Sequence, residues 1–508
     1  MVHTVPSAAL LGLEVCRVRV EVSIARGTPL IQIVGLAESA VREGRERIRA
    51  AAAQLGLHVP GLRITVNLAP AGLRKHGAAF DLPIVVGILA AARKLPGGRA
   101  AAHAMTGELG LDGSLRPVRG ALPIALHAER AGDVEGLIVP RENLAETRPV
   151  EGVDVRGART LGEVVGFLQG REALPRVDDL PPRRPAERAA LGDLAAVRGQ
   201  QRARRALEVA AAGGHNLLFR GPPGAGKTTL ARCLPSILPP MSLPEAVEVT
   251  AVHSVAGRLP PGAGLLETRP FRTPHHTVTR AGLIGGGSPP RPGEASLAHH
   301  GVLFLDELPE FSRGALEALR QPLEESLVHV VRARAAATFP ARFMLVAALN
   351  PCPCGYLGDG SERCTCDPAA VRRYLGRVSG PLLDRIDLHV EVPAVRWREF
   401  RGERGGEGSL AVRSRVEAAR ARSARRLEGR PTAGMEPGEI RVHCRPDAVG
   451  ESLLRRALER GGFSLRAYDR TLRVARTIAD LGGRERIEAD DVAEALQYRE
   501  PEPGPVLG

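Results

Sequence analysis

The 508-residue chain has almost no lysine: Lys75, Lys94 and Lys227 stand beside 67 arginines. Aromatic residues make up 3%, with Trp397 the single tryptophan, too few for base-stacking platforms to be the main means of holding nucleic acid. No run of about 18 apolar residues occurs, which argues against a membrane-spanning helix. The opening MVHTVPSAALLGLEV has neither a basic stretch nor a sustained apolar one, so no secretory leader is expected. Cysteine is scarce too, yet four of the seven fall within residues 352–366. That crowding fits a reduced, cytoplasmic protein with a metal site better than a disulfide framework. Charge is what the chain has in plenty. A formal net charge of +13 permits an acidic partner such as nucleic acid, but it also follows from arginine-rich codon usage and a solvated surface.

Patterning divides the chain into three parts, about the number its length suggests. In residues 1–180, segments 13–24, 30–34 and 63–68 alternate as half-buried strands do, segments 37–55 and 81–92 read as helices, and Asp112-Gly113 marks a hairpin turn. The Pro- and charge-rich stretch 178–187 reads as a linker. In residues 190–393, short continuous apolar runs at 215–219, 302–305, 343–349 and 388–392 match strands buried on both faces, as in a parallel α/β sheet. Residues 394–500 are helical in pattern, with a linker-like stretch at 402–408, and the tail 501–508 is expected to be disordered.

GPPGAGKT at 221–228 follows an apolar strand and precedes a helical pattern, the context a phosphate-binding loop requires. In Gly221, Pro222, Pro223, Gly224, Ala225, Gly226, Lys227, Thr228 and Thr229, the glycines let backbone N–H groups face phosphates. Lys227 is placed to neutralise β/γ-phosphate charge, and Thr228 to ligate Mg²⁺. The strand VLFL at 302–305 ends in Asp306 and Glu307, one carboxylate for the Mg²⁺ shell and one to polarise the attacking water. A third apolar strand ends in Asn350, a polar tip suited to orienting that water.

Here the chain resembles the AAA+ ATPases of the magnesium chelatase-like family, the YifB/ComM proteins. The resemblance covers nearly the whole chain. It is most specific in RPFRTPHHTVTRAGLIGGGSPPRPGEASLAHHGVLFLDELPE at 269–310, AALNPCPCG at 347–355 and GPLLDRIDL at 380–388. The family implies a parallel-sheet ATPase core with a helix-2 insert and a hairpin before the first sensor, a C-terminal helical lid, ATP with Mg²⁺, and a ring, most simply a hexamer. It implies that Arg385 is a finger reaching the neighbouring subunit's γ-phosphate, a role that spacing alone does not give. It implies a second sensor at Arg466 in FSLRAYDRTLRVARTIADL, with Arg470 one turn on as the competing choice. It further implies a motor on DNA, of branch-migration or helicase type, linked to recombination or natural transformation. The alternative is a protein-remodelling or chelatase-type ATPase.

The N-terminal part looks like the C-terminal α+β domain of Lon proteases, through RKHGAAFDLP at 74–83, TGEL at 106–109, LRPVRG at 115–120 and AERAG at 128–132. In that register Ala79 and Leu122 stand where Lon has its serine and lysine, so no peptidase activity is expected and a protein-docking role is open. Lys75 reads as a surface lysine rather than a phosphate ligand.

Cys352, Cys354, Cys364 and Cys366 form two C-x-C pairs. They can close a tetrahedral structural Zn²⁺ site or remain four free thiols. His275-His276 and His299-His300 are adjacent pairs expected to point to opposite faces of a strand and so to chelate poorly. Arg332 and Arg334, on the hairpin before residue 343, are the expected DNA-backbone contacts. Residues 396–430 hold eleven arginines against five glutamates and read as a solvated helix with intrahelical pairs such as Glu417 with Arg420.

Overall fold

The computed structural model describes residues 2–36, 38–57, 62–181, 192–332, 335–360, 362–394, 406–459 and 464–499. The expected tail 501–508, most of the linker 178–187, Arg334 and Trp397 lie outside these residues. No helix among them is long and apolar enough to cross a membrane.

The N-terminal part begins with a four-stranded sheet in the order Val2–Leu11, Glu14–Ala25, Arg63–Ala69, Leu30–Val34. The first of these strands is absent from the sequence reading, because Pro6, Ser7 and Ala8 interrupt its alternation. It forms because it pairs residue for residue with the second strand, from Val2 opposite Ser23 to Leu11 opposite Glu14. As an edge strand it tolerates proline. Helix Asp81–Ala91 is buried on nearly every side, as its continuous apolar sequence demands. Its one acidic residue, Asp81, is fully buried and held by the Arg47 guanidinium at 2.6 and 3.2 Å. A three-stranded parallel sheet, His103–Met105, Gly136–Pro140 and Asp154–Ala158, completes this part.

Lys75 is not on the surface. It is fully buried, its ammonium donating to the carbonyl oxygens of Gly35, at 3.1 Å, and of Pro70. Burial lowers its pKa. The two acceptors come from segments 40 and 5 residues away, so composition could not reveal the site.

The central part is a five-stranded, all-parallel sheet in the order Phe271–Arg272, Val302–Leu305, Met344–Leu349, Leu217–Arg220, Leu388–Glu391. Four of these were expected, and all four form. Phe219 and Phe304 are fully buried in its core. Two short helices, Arg280–Ile284 and Glu294–Leu297, flank a two-residue hairpin, Gly285–Gly286 with Arg291–Pro292. A longer hairpin, Leu327–Arg332 with Ala335–Pro340, precedes the strand Met344–Leu349.

The C-terminal part is helical: Ser409–Arg426, Pro437–His443, Ala448–Glu459, Leu465–Leu481 and Ala489–Gln497. In Ser409–Arg426, Arg415 and Arg425 are exposed, as expected of a solvated face, but the expected intrahelical pairing does not form among the described residues. Arg415 pairs with Glu208 at 2.5 Å, Arg426 pairs with Asp480, and Arg420 donates to the Ala211 carbonyl at 3.0 Å rather than pairing with Glu417. They join this helix to Gln201–Gly213 and Leu465–Leu481.

Candidate functional site

The strand Leu217–Arg220 delivers the chain to a loop at its C-terminal end, and helix Lys227–Ile237 starts directly after it. Gly224 and Gly226 have φ of +79° and +90°, a region that favours glycine. No side chain caps the new helix, so its first N–H groups stay free for an anion. Lys227 is nearly buried, its ammonium donating to the carbonyls of Gly221 (2.6 Å) and Pro222 (2.9 Å) and to Asn350 Oδ1 (2.9 Å). Burial lowers its pKa, while Asp306 and Glu307 pull it back up.

Thr228 Oγ1 donates to Asp306 Oδ2 at 2.6 Å. The Thr228 hydroxyl and the Asp306 carboxylate thus sit side by side, a pair of hard oxygen donors suited to Mg²⁺. Glu307 follows in the left-handed region, φ +53°, where a residue with a Cβ is uncommon. Its carboxylate is exposed, 3.8 Å from His276 Nδ1. Thr229 is exposed and Ala225 is buried behind the loop. The loop, Asp306, Glu307 and Asn350 therefore meet at one end of the sheet. Sequence reasoning missed Gln200, whose amide donates to Ala225 O at 3.4 Å and Pro393 O at 2.6 Å. A lone Gln before a helix carries no signal for this.

Arg385 and Arg466 are not at that end. Asn216, just before the strand Leu217–Arg220, donates its side-chain amide to Arg385 O at 2.9 Å and accepts from Leu345 N at Oδ1 at 2.8 Å; its backbone N–H donates to Asp387 Oδ2 at 3.0 Å. Arg385, Arg466, Arg470 and Arg473 line one cavity of about 600 Å³ at this opposite end. Arg385 donates to Pro381 O and Glu324 Oε1, and its Nε is buried without a hydrogen-bond partner among the described residues. Arg466 is exposed, whereas Arg470 lies 3.8 Å from Asp387. Burial opposes ionisation of Asp387, but the His215 contact and the charges of Arg470 and Arg473 hold its carboxyl below the usual range.

Three family models cover the chain in succession: subunit ChlI of Mg-chelatase over residues 20–143, magnesium chelatase subunit ChlI over 193–400, and the ChlI C-terminal part over 406–499. An uncharacterised protein of Mycobacterium tuberculosis is 45% identical over 498 residues, 97% of this chain and 98% of its own. The competence protein ComM of Haemophilus influenzae is 44% identical over 97% of this chain and 96% of its own, and YifB of Escherichia coli 42% over 98% and 96%. The chain belongs to the magnesium chelatase-like family of YifB and ComM. This is a family of AAA+ ATPases. The likeness to Lon is partial: Lon protease 2 of Bacillus subtilis is 26% identical over 174 residues, 31% of this chain and 30% of its own.

In this family member Ala79 and Leu122 bring no nucleophile and no base to the N-terminal part. The Ala79 carbonyl accepts from Gly107 N at 2.9 Å, and Leu122 is buried in a cluster that includes Val247 and Ala251 of helix Leu243–Ala256.

The four clustered cysteines converge. Cys352 Sγ lies 3.3 Å from Cys354 Sγ and 3.8 Å from Cys364 Sγ, Cys354 and Cys364 are 3.7 Å apart, and all four sulfurs fall within 4.8 Å of one another. The backbone N–H of Tyr356, helped by neighbouring thiols, brings Cys354 down to about 6, which favours a thiolate ligand.

His299 and His300 depart from expectation. They lie after helix Glu294–Leu297 rather than on a strand, and His300 has φ +54°. That turn sends both rings to one side, where both Nε2 atoms reach Glu248 Oε2, at 3.0 and 2.8 Å. Yet His299 Nδ1 accepts the backbone N–H of Arg342 at 3.1 Å. Its proton therefore sits on Nε2, the atom facing Glu248, which leaves no lone pair there for a metal. The pair makes a hydrogen-bonded cluster, with Glu248 brought down to about 2 first by His299 and then by His300.

Proposed function

We propose that this chain is an ATP-hydrolysing ring motor, most simply a hexamer, that moves DNA in recombination or in competence, the role named in the ComM relative. The observation that carries the reading is the split of charged groups between the two ends of the parallel sheet. One end holds Lys227, Thr228, Asp306, Glu307 and Asn350 together. The other holds Arg385 and Arg466 in a cavity lacking a phosphate loop. Neighbouring subunits in a ring bring those ends together. The division into residues 1–180, 190–393 and 394–500 belongs to the same reading.

In hydrolysis, Lys227 would exchange the carbonyls of Gly221 and Pro222 for the β- and γ-phosphates. Mg²⁺, held by Thr228 and Asp306, supplies neutralisation of phosphate charge when bound. Glu307 polarises the attacking water, Asn350 orients it, and the partner's arginine finger, Arg385 in each chain, meets the charge that develops on the γ-phosphate. The four cysteines take Zn²⁺. Tetrahedral zinc with Zn–S near 2.3 Å needs sulfurs about 3.8 Å apart, close to the separations above.

DNA as the substrate is supported by unpartnered arginines. Arg119, Arg258 and Arg291 line a cavity of about 770 Å³ between the N-terminal part and the insert hairpin. None makes an ion pair among the described residues, and burial together with the Arg291 charge lowers the pKa of Arg119. Arg332 lies beside the same hairpin, its guanidinium about Gly286. Such a surface suits the phosphates of a polyanion. A second reading, a motor for a protein partner, is favoured by the firm seating of the N-terminal part on helix Leu243–Ala256, where Gly120 N donates to Ser254 Oγ at 3.0 Å. ATP hydrolysis with and without forked and four-way DNA separates the two. DNA-stimulated turnover, and ATP-dependent DNA binding by Glu307→Gln, support the first; their absence favours the second.

A further inference from the structure

The four-cysteine knot lies directly against the phosphate loop. Gly355, inside the knot, has φ +88°, and a Cβ built there would stand 2.6 Å from Pro223 Cδ and 3.1 Å from its Cγ. The same position is 3.8 Å from the amide carbon of Asn350. The knot backbone thus touches a residue of the phosphate loop and sits beside the residue that accepts from Lys227. On its other flank the loop is tied to the sheet, Gly221 N donating to Leu349 O at 3.2 Å.

What holds Gly355 there is local. Cys352 is fully buried, Gly355 N donates to Cys352 O at 3.0 Å, and Leu357 N donates to Cys352 Sγ at 3.4 Å. Between the strand ending at Leu349 and the helix starting at Pro368, the described residues form no helix or strand. An irregular segment of this kind has little backbone pairing to fix it, so a cross-link through four sulfurs decides whether it stays in place.

The geometry points to the cysteine knot as a strut under the phosphate loop, so that its zinc sets how tightly the loop holds ATP. This rests on the zinc reading above and adds a regulatory consequence: a cell short of zinc, or a chelator, loosens the nucleotide site without touching Lys227 or Glu307. Cys352, Cys354, Cys364 and Cys366 are ligands in this scheme, and Gly355 is a positioning residue.

Two perturbations test it on the full chain. The first removes metal with a chelator and restores it with Zn²⁺. The second is Gly355→Ala, which leaves all four sulfurs and forces a methyl against Pro223. The readouts are zinc per chain, circular dichroism, the Kd of a fluorescent ATP analogue, and the separate KM and kcat of hydrolysis. The expected result is about one zinc per chain as purified. Metal removal should weaken the analogue by about fivefold to a hundredfold, reversed by Zn²⁺, and Gly355→Ala should weaken it similarly with zinc retained, as overpacking does. The loss should fall on KM more than on kcat. A folded protein that contains no zinc as purified overturns the zinc reading and the strut with it. Zinc that is present and removable, with Kd unchanged in the folded apo protein, overturns the strut alone. Should the apo protein unfold, Gly355→Ala decides: zinc retained and Kd within about twofold of the parent sinks the strut.

Discussion

The two ends of the central parallel sheet differ in how far they satisfy themselves. At the phosphate-loop end, Lys227, Thr228, Asp306 and Asn350 are hydrogen-bonded to one another or to the loop's own carbonyls. At the far end, Arg385 leans on an exposed glutamate with its Nε unmatched, and Arg466 is free to solvent. The four longer strands between the two ends are only four to six residues long, about 13–20 Å at the rise of a strand. No side chain of one subunit bridges that span with ease. In the ring reading proposed above, this difference means that one end receives a nucleotide and the other completes a neighbour's site.

The strongest break of this comparison is Arg385→Ala. With the finger acting across subunits, hydrolysis should fall by about 10³–10⁵ while nucleotide binding stays near that of the parent. Mixing that variant with Lys227→Ala should restore part of the activity, because an intact loop of one subunit can face an intact finger of the next. No recovery on mixing, with both variants oligomeric on gel filtration, would refute action across subunits. Glu307→Gln should follow, lowering turnover by about 10²–10⁴ with ATP still bound, measured by single-turnover hydrolysis. A Glu307→Gln protein with parental turnover would remove Glu307 from the mechanism.

The far end also holds the choice between Arg466 and Arg470. Arg466 has no hydrogen-bond or ion-pair partner among the described residues, so Arg466→Ala should leave stability near parental and cost hydrolysis about ten- to a hundredfold, the worth of one hydrogen bond to a charged group. Arg470→Ala should instead cost stability, about 1–3 kcal/mol, because Asp387 would keep its charge with less to balance it. The sign with pH follows from the depressed Asp387 carboxyl: its contribution is complete above the ordinary carboxylate pKa and is lost as pH falls through the folded value. The gap between parent and Arg470→Ala should therefore narrow below about pH 4 in denaturant titrations. A gap that widens in acid would assign the cost to something other than Asp387.

What was legible in the sequence shares one property, contiguity. GPPGAGKT, VLFLDE and the four buried strands are runs of neighbouring residues whose spacing carries the physics. What was not legible depends on distant partners or on one backbone angle. Lys75 reads as surface until the carbonyls of Gly35 and Pro70 close around it. His299 and His300 read as opposite-facing until the positive φ of His300 turns both toward Glu248. The strand Val2–Leu11 hides behind Pro6 until its ten-residue pairing with Glu14–Ala25 is seen. The placement of Arg385 and Arg466 at one cavity came from neither composition nor spacing, since 80 residues separate them and only the packing of helix Leu465–Leu481 beside Asn216 and Asp387 brings them together.

The smallest effect concerns the hold that Glu324 has on Arg385. The pair is close, but Glu324 is half-exposed, and such pairs are worth no more than about 1 kcal/mol. To reach a neighbour's phosphate the guanidinium must leave Glu324, so the contact opposes the working arrangement by that amount at most. Glu324→Gln should then raise steady-state hydrolysis by up to about fivefold, or leave it unchanged, with the larger gain at low ionic strength where the pair is least screened. A fall comparable to that of Arg385→Ala would mean that Glu324 holds the finger in its working position, and the far end would be a formed site rather than one waiting for a partner.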